Sequence, residues 1–217
     1  MGAQHSNSRP YHHGDLHRAL VDAGTRIVES HGVEDISLRE VARQAQVSHT
    51  APYHYFANKS ALLAAIAAAG FKQMVAEIQQ LGTEMAGLEP QPLDPLFPLR
   101  CVGRGYVKFA LQRPSIFRLM FRPELTQPAE NPELREAESQ AFGALQSAIE
   151  FYRNINPQIS LDPRIASAFA WSTVHGFVTL QLDAVFQETP VGQLDIASTA
   201  EAVLKLIEGG IKSFEKQ

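Results

Sequence analysis

Apolar residues recur every three or four positions through most of the chain. In residues 15–31 they form one stripe along a predicted helix, and Gly32 is the expected stop because glycine tolerates the left-handed backbone that ends helices. The stripe consists of Leu16, Leu20, Ala23 and Ile27. Strand-like alternation is almost absent, so we predict an all-α protein.

A second, short helix is predicted after Ser37. Ser37 and Glu40 have the spacing of a capping box, in which the serine caps the helix and the glutamate reaches back to its start. After a tight turn, Ser48 is expected to cap a third helix that runs to about Tyr55, with Pro52 tolerated in its first turn.

Longer helices are predicted beyond this region. Asn58 is expected to cap a helix that runs through an alanine-rich stretch toward residue 85. Four prolines make residues 88–98 a connector, and the prolines at 123, 128 and 132 predict another loop. The remaining helices are predicted at about 98–111, 115–121, 133–153, 163–186 and 193–215.

This order of elements predicts three parts. Residues 1–10 are polar and are expected to form a flexible arm. Residues 11–60 fit a tri-helical helix-turn-helix domain, the kind that places one helix in the major groove of DNA. Residues 61–217 are expected to form a larger helical domain.

Composition excludes several classes of protein. With 45% hydrophobic and 19% charged residues among 217, the chain is not a disordered polypeptide, and it is too short for a typical (β/α)8 enzyme. Its single cysteine, Cys101, makes no internal disulfide, which favours a cytoplasmic location. We find no 18-residue apolar run and expect no membrane span.

Charge is distributed unevenly. The formal net charge of −4 comes entirely from the residues after Ser60, whereas seven of the eight histidines come before it. The neutral, histidine-rich N-terminal part therefore suits an anionic partner better than the whole chain does. His12, His13 and His17 have a spacing that suggests a metal, but no carboxylate or cysteine accompanies them, so we expect neither a metal nor a cofactor.

The third predicted helix and its surroundings carry the candidate DNA contacts. Hydroxyl, imidazole, phenol and cationic groups there suit base edges and phosphates. The candidates are Ser37, Arg39, Ser48, His49, Thr50, Tyr53, His54 and Lys59. Plainer explanations stay open for three of them: capping for Ser37, a solvated helix face for Arg39, and packing for Tyr53.

Aromatic residues of the second domain are candidates for a ligand cavity. Trp171 and His175 lie on one helical stripe, where His175 is either a core histidine with a satisfied hydrogen bond or a polar group in a cavity. The candidate lining residues are Phe97, Phe109, Phe117, Met120, Phe142, Trp171 and His175. Core packing explains each of the phenylalanines equally well. Such a cavity would take a mostly apolar small molecule.

The last predicted helix carries a seam with heptad-like spacing. Its members are Ala200, Leu204, Ile207, Ile211 and Phe214. The seam suits helix pairing across a homodimer, although a helix buried within its own subunit would have the same pattern.

Several segments together resemble the tetracycline-repressor family of bacterial regulators. They are Ser37-Leu38-Arg39-Glu40-Val41-Ala42, Val47-Ser48, Tyr53-His54-Tyr55-Phe56, Lys59 and Leu62-Leu63. Further segments resemble one subgroup that has a Trp–His–Gly pattern in its C-terminal domain: Tyr11-His12-His13-Gly14-Asp15-Leu16, Ser48-His49-Thr50-Ala51-Pro52-Tyr53 and Trp171-Ser172-Thr173-Val174-His175-Gly176. One departure is Gln46, where the family usually has glycine in the turn.

The resemblance implies a dimeric, all-helical repressor that binds a double-stranded, pseudo-palindromic operator. It also implies that residues 61–217 bind a small-molecule effector and the second subunit. Two alternatives remain: a small all-α enzyme acting in the C-terminal cavity, and a helical scaffold that binds partners through residues 193–215. The enzyme would need a nucleophile and a base, for which Cys101 and His175 offer no evident partners.

Overall fold

The computed structural model of the protein describes residues 13–88 and 94–214, with side chains from Leu16 onward. No β-strand occurs in these ranges, and the predicted all-α class is confirmed. The α-helices are α1 (His13–His31), α2 (Leu38–Gln44), α3 (Lys59–Ala86), α4 (Phe97–Gln112), α5 (Pro114–Met120), α6 (Pro123–Thr126), α7 (Pro132–Ile155), α8 (Pro163–Leu182) and α9 (Ile196–Lys212). Short 3-10 helices span Ala51–His54, Pro128–Glu130, Val185–Glu188 and Pro190–Gln193. The expected arm at 1–10, Tyr11, His12 and residues 89–93 of the connector lie outside the described residues.

Helix α3 is the central element. Asn58 caps it as predicted, since its side-chain oxygen accepts a hydrogen bond of 2.9 Å from the Ala61 amide. The helix packs against α1, α4, α5, α6 and α7. Its alanine-rich face is buried, so that these five neighbours can approach its backbone closely.

Glycines allow close approaches at two of these contacts. A Cβ on Gly105 of α4 would lie 2.5 Å from Cγ1 and 3.0 Å from Cα of Ile78. A Cβ on Gly70 of α3 would lie 2.8 Å from side-chain atoms of Ile116 and Met120. Both positions therefore exclude a side chain unless the helices move apart.

Helices α1 and α2 form the N-terminal unit with the 3-10 helix Ala51–His54. Gly32 ends α1 with φ +86°, and Ser37 accepts a 3.1 Å hydrogen bond from the Glu40 amide, as predicted. The second half of the expected capping box is wrong. The Glu40 carboxylate does not reach back, because Arg43 Nε donates to it at 2.9 Å.

The expected third α-helix is also wrong in form. The chain makes only the 3-10 helix Ala51–His54, which has no side-chain cap. Ser48 does not cap a backbone amide through its hydroxyl, which instead contacts the Thr50 hydroxyl at 3.2 Å. The amides of Ala51, Tyr53 and Tyr55 each donate to the carbonyl three residues earlier, at 3.0–3.1 Å, which is the 3-10 pattern.

Prolines begin several elements in the second domain. The loop expected around residues 123–132 instead contains α6 and the 3-10 helix Pro128–Glu130, and α7 starts at Pro132. Proline is favoured at the first position of a helix because the amide hydrogen that it lacks has no partner there anyway. Helices α8 and α9 end at Leu182 and Lys212, a few residues before the predicted ends.

The seam of the last helix faces its own chain. Four of its five members, all except Phe214, are buried within the subunit. A Cβ on Gly103 of α4 would lie 2.5 Å from Leu204, which shows how closely α9 packs there. The seam that we expected to pair two subunits therefore belongs to the core, since burial within one chain produces the same spacing.

Helix α3 is, by length and composition, apolar enough to cross a membrane, although we expected no such segment. It is the one helix of this kind in the described ranges. Some 56% of its most apolar window is buried inside the protein. A central core helix meets the same criteria, and contact with five helices explains the composition of α3.

Gln46 stores backbone strain in the turn after α2. Its φ is +57°, a left-handed conformation that costs a side-chain-bearing residue about 1 kcal/mol or more. We expect Gln46→Gly to raise the free energy of unfolding by about 0.5–1 kcal/mol, measured by urea denaturation.

Gln44→Gly is the matched control. Gln44 is the last residue of α2, where glycine should lower the free energy of unfolding by up to about 1 kcal/mol. Equal effects of the two substitutions would contradict strain at Gln46.

Candidate nucleic-acid interface and ligand cavity

The segment after α2 presents a polar surface next to three buried residues. Ala51 and Pro52 are buried, and Phe56 follows with only 2% of its surface exposed. Most of the side chains before and between these buried residues are exposed. The exposed residues are Ser48, His49, Thr50, Tyr53 and His54. Tyr53 is 54% exposed, so packing alone does not account for this phenol.

Two cations lie on elements next to this segment in the chain. Arg39 is exposed on α2, and its guanidinium makes no ion pair with any residue that the structure describes. Lys59, at the first turn of α3, donates a 3.1 Å hydrogen bond to the Glu34 carbonyl. Ser37 is exposed and its hydroxyl oxygen caps α2. The unit therefore offers hydroxyls, imidazoles, a phenol and two positive charges, a chemistry suited to phosphates and base edges.

His17 belongs to the packing beneath this surface. Its ring lies 5.6 Å from the Tyr55 ring and 5.2 Å from the Phe56 ring, measured between centroids. The side chains of His12 and His13 lie outside the described residues. Among the side chains that are described, no group of three histidine, cysteine or acidic residues could hold a metal.

A cavity of about 550 Å³ lies in the second domain, between α3, α4, α7, α8 and α9. Its wall is mostly apolar, with a few charged groups. The apolar and aromatic lining includes Phe71, Met74, Ile78, Leu99, Val102, Tyr106, Phe121, Phe142, Leu145, Trp171, Val174, Leu204 and Ile207. The polar lining is Arg100, Arg135, Glu138, Ser139 and Glu208. Volumes of this size are typical of small-molecule sites.

One hydrogen-bonded chain joins three residues at the aromatic side of the cavity. Trp171 Nε1 donates to the Tyr106 hydroxyl at 3.4 Å, and that hydroxyl lies 2.7 Å from His175 Nδ1. The hydroxyl donates to Nδ1 in one neutral tautomer of His175 and accepts from Nδ1–H in the other, and both keep the contact. Burial lowers the pKa of His175 and raises that of Tyr106, so both rings stay uncharged near neutral pH.

Two arginines of α4 form ion pairs with α9 at the cavity. Arg100 Nε donates to Glu208 at 2.9 Å, and its Nη2 donates to Asp94 at the same distance. Arg104 Nε donates to Glu201 at 2.7 Å. The two pairs with Glu208 and Glu201 join residues about a hundred positions apart in the sequence and tie α9 to α4.

Two sequence families match the chain. Residues 20–66 match the tetR family of bacterial regulatory proteins, and residues 99–206 match the tetracyclin repressor-like C-terminal domain. The chain belongs to the tetracycline-repressor family. It is thus a transcriptional regulator by family.

Known proteins are similar to this regulator in part or in whole. The nicotine-responsive transcriptional repressor HdnoR of Paenarthrobacter nicotinovorans is 37% identical over 67 residues, 31% of this chain and 34% of that protein. The match therefore spans about a third of that relative's length. A Rhodococcus sp. RHA1 protein of unknown function is 25% identical, with a TM-score of 0.74 over 96% of this chain and 100% of the other. The fatty acid degradation regulator FadR of Bacillus halodurans shares the fold, at 18% identity and a TM-score of 0.65 over 88% and 93% of the two chains.

The structure places only two of the seven expected cavity residues, Phe142 and Trp171, on the wall. His175 lies behind it, bonded to Tyr106, and Phe117 packs on the same histidine at a centroid distance of 5.7 Å. The others that do not line the cavity are Phe97, Phe109 and Met120, which are buried in the core. They were wrong as lining residues because helical spacing identifies a buried face without showing what that face contacts.

Sequence reasoning missed three aromatic residues of the wall, Phe71, Tyr106 and Phe121. A signal existed for Tyr106, which shares one face of α4 with Leu99 and Val102 at helical spacing. For Phe121, which follows the last residue of α5, only the folded chain shows its place beside Phe71 at 5.5 Å.

The burial of His175 predicts a pH-dependent stability. Its pKa is lowered in the folded state, so the unfolded chain binds a proton at this residue near pH 6.5 and the folded chain does not. The free energy of unfolding should therefore fall as the pH drops below about 6.5, until the pH passes the folded-state pKa. Urea denaturation at about pH 7.5 and pH 5.5 should show a smaller fall for His175→Gln than for the wild type. Parallel pH dependence in the two proteins would contradict a buried neutral histidine.

Proposed function

We propose that this regulator is a dimeric repressor that binds a pseudo-palindromic operator and is released by a mostly apolar small molecule. The observation that supports this most is the set of exposed polar side chains in segment 48–54, on a unit that matches the family's DNA-binding domain and also carries Arg39 and Lys59. We assign DNA binding to residues 11–60 and effector binding and dimerisation to residues 61–217. We also propose a cytoplasmic location, because the protein has to reach its operator DNA there.

Phosphate contacts and base contacts have different roles in this proposal. Arg39, Lys59 and the Ser37 hydroxyl suit the DNA backbone, whose contacts fix the register of the protein on the duplex. The exposed His49, Thr50 and Tyr53 suit base edges. The set proposed to touch DNA is Ser37, Arg39, Ser48, His49, Thr50, Tyr53, His54 and Lys59.

An exposed apolar face supports dimerisation. On α8 it is formed by Ile165, Phe169 and Leu180, which are 41–62% exposed, on α9 by Leu206 at 73%, and just after α9 by Phe214 at 48%. Large apolar residues clustered on adjacent helices are costly in water and typical of subunit interfaces. We propose that this face pairs with its copy in a second subunit, in place of the buried seam of α9.

The enzyme alternative has less support. Beside the cavity, Tyr106 and His175 are within hydrogen-bond distance, and burial raises the pKa of the phenol, which opposes a nucleophilic phenolate. Cys101 is buried. We therefore propose that the cavity binds its ligand without converting it.

The dimer face can be tested by placing a charge on it. Leu206→Asp should turn a dimer into a monomer at micromolar concentration, measured by sedimentation or light scattering, because the carboxylate would be desolvated in the interface. Leu88→Asp is the matched control, since Leu88 is 86% exposed and lies away from α8 and α9 in the chain. A dimer that survives Leu206→Asp would contradict this face.

DNA binding can be tested by selecting genomic fragments with the purified protein and footprinting the enriched site. We expect a protected pseudo-palindrome whose half-sites lie about 34–36 Å apart or a multiple of that. Tyr53→Ala should abolish the protection. Arg39→Gln should lower the slope of log affinity against log salt by about one unit, whereas Arg153→Gln on α7 should leave it unchanged. Failure to enrich any fragment, or a footprint unaffected by Tyr53→Ala, would contradict the proposed interface.

A further inference from the structure

The effector cavity of the proposed function has a distinctly aromatic side. Phe142 and Trp171 lie 5.6 Å apart between centroids, and Trp171 and Phe121 lie 6.3 Å apart. Phe71 packs edge-on against Phe121 at 5.5 Å. Aromatic faces carry partial negative charge, so a group of rings around one space attracts a cation as well as an apolar body.

The charged groups of the cavity wall do not suit an anionic ligand. The guanidinium of Arg100 donates to both Glu208 and Asp94, so two carboxylates already neutralise it. Arg135, the other cation of the wall, is exposed, where water and salt screen its charge. An anionic effector would therefore meet two carboxylates beside Arg100 and only a screened cation at Arg135.

Glu138 supplies negative charge next to the rings. It lies on α7 four residues before Phe142, so the two side chains are neighbours on the face that lines the cavity. Its carboxylate makes no hydrogen bond or ion pair with any side chain in the described parts of the chain. It is partly buried, and this desolvation raises its pKa. A partly buried carboxylate without a partner gains most from a cation brought by a ligand.

We propose that the effector is an organic cation, with an apolar body in the cavity and a protonated or quaternary amine held between Glu138 and the Phe142–Trp171 ring pair. This inference rests on the proposed function, because it specifies the ligand class of the same cavity. Cation–π attraction to the rings and the ion pair with Glu138 act on the same ammonium group.

Trp171 makes the cavity directly observable. It is the single tryptophan of the chain and lies on the wall, so the intrinsic fluorescence of the protein reports on this site. Three probes share the same phenylbutyl body and differ in the charge of the head group: 4-phenylbutylamine, 4-phenylbutanol and 5-phenylvalerate. Fluorescence titration near neutral pH should rank the amine at least about tenfold tighter than the alcohol, and the carboxylate weakest.

Glu138→Gln keeps the size of the side chain and removes its charge. We expect it to weaken the amine to the affinity of the alcohol and to leave the alcohol unchanged. Glu136→Gln is the matched control, because Glu136 is exposed on the same helix and does not line the cavity. It should preserve the tenfold preference.

The outcomes separate this inference from the proposed function. Equal binding of the amine and the alcohol, or a preference that survives Glu138→Gln, would overturn the cation proposal and leave an apolar-effector cavity. Absence of any Trp171 response to all three probes at millimolar concentration would overturn both the cation proposal and the cavity as an effector site. Operator footprinting without ligand tests the DNA part independently.

Discussion

The packing of α3 against five other helices holds the DNA-reading unit and the cavity in one body. Its first turn carries Lys59 at the candidate DNA surface, and its later turns carry Phe71, Met74 and Ile78 on the cavity wall. Gly70 and Gly105 let neighbouring helices reach the α3 backbone at distances that exclude a side chain. An element packed so closely moves as a unit, because interiors of this density transmit displacements.

Specific contacts extend this connection beyond α3. The Ser60 hydroxyl donates to the Leu125 carbonyl of α6 at 2.6 Å, and Arg113 at the start of α5 pairs with Glu29 of α1 at 3.3 Å. Phe121, at the end of α5, lines the cavity. In the proposed mechanism, a ligand that displaces Phe121 shifts α5 and α6, and these contacts pass the shift to α1 and the first turn of α3.

Helix starts and ends could be predicted from the sequence where a single residue determines the local backbone conformation. Gly32 ends α1, and Ser37 and Asn58 cap their helices, because each effect depends on neighbours within four positions. The form of the segment at 48–55 was wrong, because residue spacing over so few positions does not separate a 3-10 helix from an α-helix. The DNA-contact residues were chosen from their chemistry and all lie on exposed positions, but their roles stay predictions.

The cavity was harder to predict, because it depends on which buried faces meet. Phe109 and Phe142 each lie on a predicted helix, and the sequence around them does not distinguish their roles. Phe109 is fully buried in the core, whereas Phe142 lines the cavity. The seam of α9 likewise has the spacing of a subunit interface but packs on α4 and α8 of its own chain. Periodicity identifies an apolar face, whereas its partner is set by contacts such as Arg100 with Glu208, between residues distant in sequence.

The central claim is that cavity occupancy and operator binding are coupled through this shared framework. The most direct test is the affinity of a compound that quenches Trp171, measured on the free protein and on the protein bound to its selected operator fragment. Because coupling between two sites is reciprocal, the dissociation constant of the compound should rise on the operator-bound protein by the same factor by which the compound weakens operator binding. Equal affinities for the free and the operator-bound protein would contradict the account.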